Sequence, residues 1–252
     1  MATKPAPPKA QVNKYEEELA RFAKEAQAQV PVSSSNFIST RGGRMSFQGN
    51  PVPGDKMNVV VIASVLENHY YTDRFDADNP ASPKCFAFSE NDDGMAPHEL
   101  SEDPQCETCA KCDKNQWGSA DIGRGKACKN IVRLGLITED GLEDVPGAEL
   151  AVLKIPVTSV KEWGGYVTQI ATTLKRPPFA VVTEVSIVPD AKSQFKLKFK
   201  LVGQITDGDT IGEIMERREA VAKELSRPYQ PTPTQEEPAP AQGGKPGNKR
   251  KY

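Results

Sequence analysis

The sequence predicts a mainly β chain with added helices, an α+β protein built on a small β-barrel with an inserted cysteine loop. Three observations predict it. Over 36–205, β-branched and aromatic residues recur in short runs separated by glycine, proline and asparagine. Only 13–30, 159–174 and 208–225 carry apolar residues at helical spacing. All five cysteines, Cys85, Cys106, Cys109, Cys112 and Cys128, fall in one polar stretch between strands.

Residues 1–12 are a proline- and lysine-containing leader with nothing to bury, expected to be disordered. Asn13 and Glu16 have the spacing of a capping box, and Tyr15, Leu19, Phe22 and Ala26 recur at helical intervals. This predicts an amphipathic helix over 13–30 that docks on the main domain. The stretch 36–48 reads as a hairpin whose turn, Arg41-Gly-Gly-Arg44, needs the positive φ that glycine supplies. An unbroken β-branched run over 57–66 predicts a strand covered on both faces. The stretch 68–85 reads as a polar loop, and the core over 36–205 carries its cysteine insertion at 68–129. Strands follow at 130–138 and 149–156, then a helix over 159–174 that Gly164 and Gly165 weaken by about 1 kcal/mol each. Strands over 179–188 and 194–205 are joined by a five-residue turn. In the second, Phe195, Leu197, Phe199 and Leu201 face one way and Lys196, Lys198 and Lys200 the other. A charged helix over 208–225 precedes a proline-, glutamine- and glycine-rich tail, 226–252, expected to be disordered.

At 252 residues the chain holds one sizeable domain or two small ones plus tails. No apolar run approaches bilayer length, and the first residues lack the apolar region of a signal peptide. A soluble, cytoplasmic protein without a membrane partner is expected. There is no P-loop, nucleophile elbow or H-E-x-x-H, and His69 and His98 are the only imidazoles. The chain is therefore expected not to be an enzyme and to take no small-molecule substrate. The acid pairs Asp92-Asp93 and Glu102-Asp103 read as solvated loop carboxylates.

In a reducing compartment, clustered cysteines read as metal ligands. C-x2-C is the shortest spacing that lets one turn present two thiolates to one ion, and the second pair must arrive from elsewhere in the chain. Cys109 and Cys112 form such a pair, with Cys85 upstream and Cys128 downstream. Cys106 and Cys109 are an equally good pair on spacing, and His98 is a further choice. Four thiolates around one zinc leave no position for water, so the expected ion is structural.

The net charge of −2 is unevenly spread. Residues 73–107 hold ten acids against Arg74 and Lys84, whereas 108–135 hold six bases against Asp113 and Asp121. Four basic patches match a polyanion footprint: Arg41 and Arg44 flanking a turn beside Phe37 and Phe47; Arg124, Lys126 and Lys129 after the cysteines; Arg133 on the next strand; and Lys196, Lys198 and Lys200. Alternate strand residues repeat at roughly 7 Å, close to the phosphate spacing of an extended single strand. A solvated strand face accounts for those lysines equally well. Tyr70, Tyr71, Trp117, Phe47, Trp163 and Tyr166 are candidate stacking platforms, each with a core role as its alternative.

Several motifs resemble one family. Gly43-Arg-Met-Ser-Phe-Gln-Gly-Asn-Pro-Val-Pro-Gly54, Cys85-Phe-Ala-Phe88, Cys109-x2-Cys112-x2-Asn115-x-Trp117-Gly-Ser, and Gly125-Lys-Ala-Cys128-Lys together resemble zinc-containing bacteriophage single-stranded DNA-binding proteins of OB-fold type. The resemblance covers about 36–205. It implies an OB-fold-like barrel with an inserted zinc loop, one zinc on Cys85, Cys109, Cys112 and Cys128, and Cys106 left over. It also implies a protein that coats single-stranded DNA during phage DNA replication or recombination in an infected host. Many such proteins end in an acidic tail that recruits replication proteins. Here Arg227, Lys245, Lys249, Arg250 and Lys251 face Glu236 and Glu237, a tip suited instead to nucleic acid. The competing expectations are a zinc-stabilised protein-interaction module of a replication or transcription complex, and a nuclease using the acidic loop.

Overall fold

The structure, a computed structural model, describes residues 36–72 and 82–229, together with Glu18 and Arg21. The expected leader, all but those two residues of the expected first helix, and the tail beyond Tyr229 lie outside the described residues. In chain order the elements are β1 (Phe37–Ser39), β2 (Ser46–Phe47), β3 (Asn50–Pro51), β4 (Lys56–Tyr70), β5 (Cys85–Ser89), β6 (Lys129–Thr138), β7 (Ala151–Ile155), α1 (Val157–Leu174), β8 (Val181–Asp190), β9 (Gln194–Gln204) and α2 (Gly208–Leu225).

The strands form one mixed sheet in the order β3-β2-β1-β7-β6-β4-β8-β9, with β5 added to β4. Only β1 and β7 run parallel among these pairs. The sheet curls into a half-barrel. Its first turn, Arg41–Gly43, comes against β9, where Phe195 lies 3.6 Å from the position a Cβ on Gly43 would occupy. That turn takes the expected positive φ, 63° at Gly42 and 72° at Gly43.

β4 explains the layering. Val59 and Val61 point into one apolar cluster and Val60, Ile62 and Val65 into another, as a strand buried on both faces requires. A bulge between Val61 and Ala63 puts Ile62 and Ala63 on the same side. α1 covers the first face with Trp163, Tyr166 and Ile170, and α2 covers the second with Ile214, Val221 and Leu225. Each such side chain stabilises the fold by roughly 1.5–3 kcal/mol. Two polar contacts fix the seat of α1: the buried Ser159 hydroxyl accepts from the Leu197 amide at 3.0 Å, and the Tyr166 and Thr183 hydroxyls meet at 2.6 Å. α2 starts where the Asp207 carboxylate accepts from the Thr210 amide at 2.9 Å, an N-cap.

Two expected boundaries are corrected. The loop expected over 68–85 is shorter, because β4 runs to Tyr70 and Cys85 already opens β5; polar residues at the end of β4 are held by ladders to β5 and β6 on its two sides. The tail expected from Ser226 gives way at its start to a defined segment in which Tyr229 bonds to Glu67.

Gly135 on β6 is where α2 comes closest, since a Cβ there would collide with the Val221 side chain. Gly135→Ala is expected to destabilise the protein by about 1–3 kcal/mol through overpacking, measurable as a lower denaturant midpoint at unchanged slope.

Candidate metal centre and nucleic-acid interface

The cysteines gather at the end of β4. Tyr70 pairs with Cys85 on β5, and His69 pairs with Lys129 on β6, so Cys85 and Cys128 arrive on opposite sides of one strand end. Two 3-10 turns, Cys109–Lys111 and Asp113–Asn115, bring in Cys109 and Cys112. Backbone bonds from Cys109 to Met95 and from Cys128 to Lys114, both 2.8 Å, hold these turns in place. The Asn115 amide adds a third, donating to the Cys109 carbonyl at 2.8 Å.

All five cysteines line one cavity of about 10 Å³, room for a single small body. Cys85, Cys109, Cys112 and Cys128 are buried, Cys106 is half-buried, and none is in a disulfide. No imidazole or carboxylate joins the lining. His98 lies elsewhere, stacked on Phe86 with centroids 5.1 Å apart. Burial first, and then the neighbouring thiols, push Cys106 and Cys128 up to about 12. Burial also raises Cys85 and Cys109. Among the described residues no three His, Cys, Asp or Glu side chains stand as a closed metal-ligand group. In composition the gathered sulfurs match the donor set of a thiophilic divalent ion; in placement they do not form a closed ligand group. Such an ion would deprotonate the thiols it bound and stabilise the loop.

The loop buries little apolar surface. Over 90–127 the buried apolar side chains are Met95, Cys109 and Cys112, and the local cluster is Ala87, Met95 and Cys109 with Leu66 against it.

The expected nucleic-acid residues divide into two groups. At the cysteine end, Trp117 is 79 % exposed with Lys126 Nζ 5.9 Å from its ring centroid, and Lys114 Nζ lies 5.3 Å over Tyr70. Arg124 and Lys129 are exposed. Tyr71 is exposed too, but it stands edge-on to His69 with centroids 5.6 Å apart, beside the Glu67 cluster and not the cysteine cavity. The other group lies at the far end of β4, whose 15 residues represent on the order of 45 Å of strand path. There Arg41 is exposed, Arg44 pairs with Asp55 at 3.2 Å, and Phe47 packs on the core. Lys196 pairs with Asp190 at 3.2 Å and Lys198 with Glu162 at 2.7 Å, while Lys200 sits opposite Glu184. The lysine row exists as expected, but β9 is an edge strand, where lysines also discourage pairing with a foreign strand.

Arg133 departs from the expected surface role. It is 5 % exposed and bonded to the fully buried Glu67. Tyr229 donates to the other oxygen of that carboxylate, His69 Nδ1 lies 3.0 Å from it, and Lys154 Nζ lies 3.8 Å away. His69 Nδ1 is within contact distance but lacks hydrogen-bond geometry. Burial would raise the Glu67 pKa, yet contacts with His69 and Arg133 and the charges of Lys154 and Arg133 outweigh it and hold the carboxyl far below its ordinary value. Lys154 and Tyr229 escaped the sequence reading. A readable sign did exist: Glu67 and Arg133 each interrupt an apolar strand run, so each needed an opposite charge inside.

Comparison with known proteins brings no match, whether with family models, curated proteins or solved structures. The resemblance to phage proteins rests on its motif residues alone.

Because the folded-state pKa of Glu67 is depressed below its unfolded value of 4.5, its contribution is fully present above that pH and is lost as pH falls below it. Glu67→Gln is expected to lower stability at neutral pH by about 3–5 kcal/mol, since Arg133 is left buried and unpaired. It is also expected to flatten the acid limb of the stability curve, both read by denaturant titration across pH.

Proposed function

We propose that this chain is a non-enzymatic single-stranded DNA-binding protein of phage DNA replication or recombination. On this reading the half-barrel is an OB-like core and the cysteine insertion is its zinc loop. One structural zinc sits on Cys85, Cys109, Cys112 and Cys128, with Cys106 beside them. A closed set of four thiolates leaves no site for a reacting water, so the chain works by binding.

Trp117 carries this reading. An indole left 79 % exposed forgoes stabilisation on the order of 1.5–3 kcal/mol unless a partner covers it. Its neighbours are Lys126 and, in the same loop, Arg124. A flat apolar face with cations at its edge is what a stacked base and its phosphates require. Ile122, 73 % exposed on the same loop, favours a second reading in which a replication protein docks there.

Fluorescence polarisation with labelled oligothymidine tests the proposal. Affinity is expected to exceed that for duplex of equal length and to fall steeply with salt. Trp163 is 6 % exposed, so quenching of indole emission reports on Trp117. Trp117→Ala is expected to remove the quench and weaken binding about tenfold or more. Indifference to oligothymidine at low salt removes the first reading and leaves the second.

Metal analysis of the purified protein is expected to find one zinc per chain. Cys85→Ala loses it and Cys106→Ala keeps it; the reverse pattern would put Cys106 in the ligand set.

A further inference from the structure

Trp117 and Lys126 stand on the two arms of one loop, nine residues apart in the chain. Backbone and hydroxyl bonds join the arms. The Gly118 and Ala120 amides donate to the Gly125 carbonyl at 3.0 and 3.2 Å, and the Ala127 amide donates to the Ser119 hydroxyl at 2.9 Å. These bonds fix the loop but not the ammonium of Lys126, which rides on a long flexible stem.

Asn115 holds that ammonium. Its Oδ1 accepts from Lys126 Nζ at 3.1 Å, while its Nδ2 donates to the Cys109 carbonyl at 2.8 Å and its backbone amide donates to the Cys112 carbonyl at 3.0 Å. Only this orientation of the side-chain amide satisfies both neighbours, since a carbonyl only accepts and an ammonium only donates. One half-buried side chain thus joins both cysteine turns to the cation that lies 5.9 Å from the Trp117 ring centroid. The acceptor is neutral. A carboxylate in its place would hold the ammonium and offset its charge, whereas an amide oxygen holds it and leaves the charge for an incoming anion.

We infer that Asn115 is a positioning residue: it sets Lys126 beside the Trp117 indole, so that a base stacked on the ring and the phosphate of the same nucleotide are gripped together. The phosphate part of this inference rests on the strand-binding reading; the placing of Lys126 by Asn115 does not.

Two measurements on the full chain test it, using Asn115→Ala, Lys126→Gln and the double variant. The first needs no strand. Trp163 is buried, so iodide and caesium quench Trp117, and a cation held beside the indole favours the anionic quencher. The ratio of iodide to caesium quenching is expected to fall in Asn115→Ala as it does in Lys126→Gln. The second is a polarisation titration with labelled oligothymidine over a range of salt. Each single variant is expected to weaken binding about tenfold, as loss of a charge-assisted bond does. Each is also expected to reduce the slope of log affinity against log salt by about 0.7, the share of one phosphate on a single strand. The double variant is expected to bind no more weakly than the weaker single one, because Asn115 acts through Lys126. Should Asn115→Ala unfold the loop, Asn115→Leu, which keeps the bulk and removes both side-chain bonds, takes its place.

An unchanged quenching ratio in the Asn115 variant overturns the inference whether or not strands bind. Where the wild type binds oligothymidine, additive losses in the double variant or a salt slope unaltered by the Asn115 variant also overturn it, and spare the strand-binding reading. A ratio that falls in a chain indifferent to oligothymidine upholds the placing of Lys126 and sinks the strand-binding reading together with the phosphate.

Discussion

The buried pair of Glu67 and Arg133 is the contact on which the other elements align. Glu67 stands on β4 and Arg133 opposite the same region on β6, while the Arg133 guanidinium donates to the Leu225 carbonyl at 2.8 Å, closing an end of α2 that its own helix cannot satisfy. The same guanidinium lies 4.4 Å over Phe88 of β5. Sheet, helix end and insertion therefore meet at one charge. A buried ion pair is a poor source of net stability, because desolvation offsets most of the attraction. Its effect here is positional: an apolar pair of equal bulk would bury as much surface without specifying which turn of α2 sits over β6.

The insertion solves a different problem. It is too polar to bury a core of its own, and its two arms carry opposite charge. The acidic arm is folded back on β5: the Asp103 amide donates to the Lys84 carbonyl at 2.8 Å, and the Ser101 hydroxyl accepts from the Phe86 amide at 3.1 Å. Lys84 also reaches Glu102 at 2.6 Å. The basic arm is left outward with Trp117 at its tip. Five cysteines gather at the junction where the sheet has valine and leucine, and the separation of charge leaves the cationic side uncovered.

Much of the architecture was legible wherever one physical signal dominated. The unbroken β-branched run gave away β4, the strict alternation of Phe, Leu and Lys gave away β9, and α2 stood out as a charged helix. What escaped depended on partners distant in sequence. β5 has only Cys-Phe-Ala-Phe to declare it, too short to be told from a loop without knowing that the end of β4 was waiting for a partner. Arg133 looked like a surface base because a lone arginine is ordinarily solvated, and the partner that lets it stay buried, Glu67, lies 66 residues away. Tyr229 sat in a proline-rich tail and becomes meaningful only once Glu67 lies beneath it. The cysteines were legible as a group, since clustering is a property of sequence; their common cavity is a property of register.

That register has an architectural consequence. His69 and Lys129 are neighbours across the β4–β6 ladder, so the chain leaves the sheet and returns to it at adjacent rungs. Everything between them is a detour that a short hairpin turn could replace without shifting any pairing of the remaining strands. In topological terms the insert is a cassette, separable from the half-barrel without a change in its strand order. Two rings restrain that freedom: Phe88, on the first strand of the cassette, roofs the Arg133 guanidinium, and it packs with Phe86 against the Tyr229 ring. A lineage that discarded the insert would have to supply another flat apolar cover for that charge.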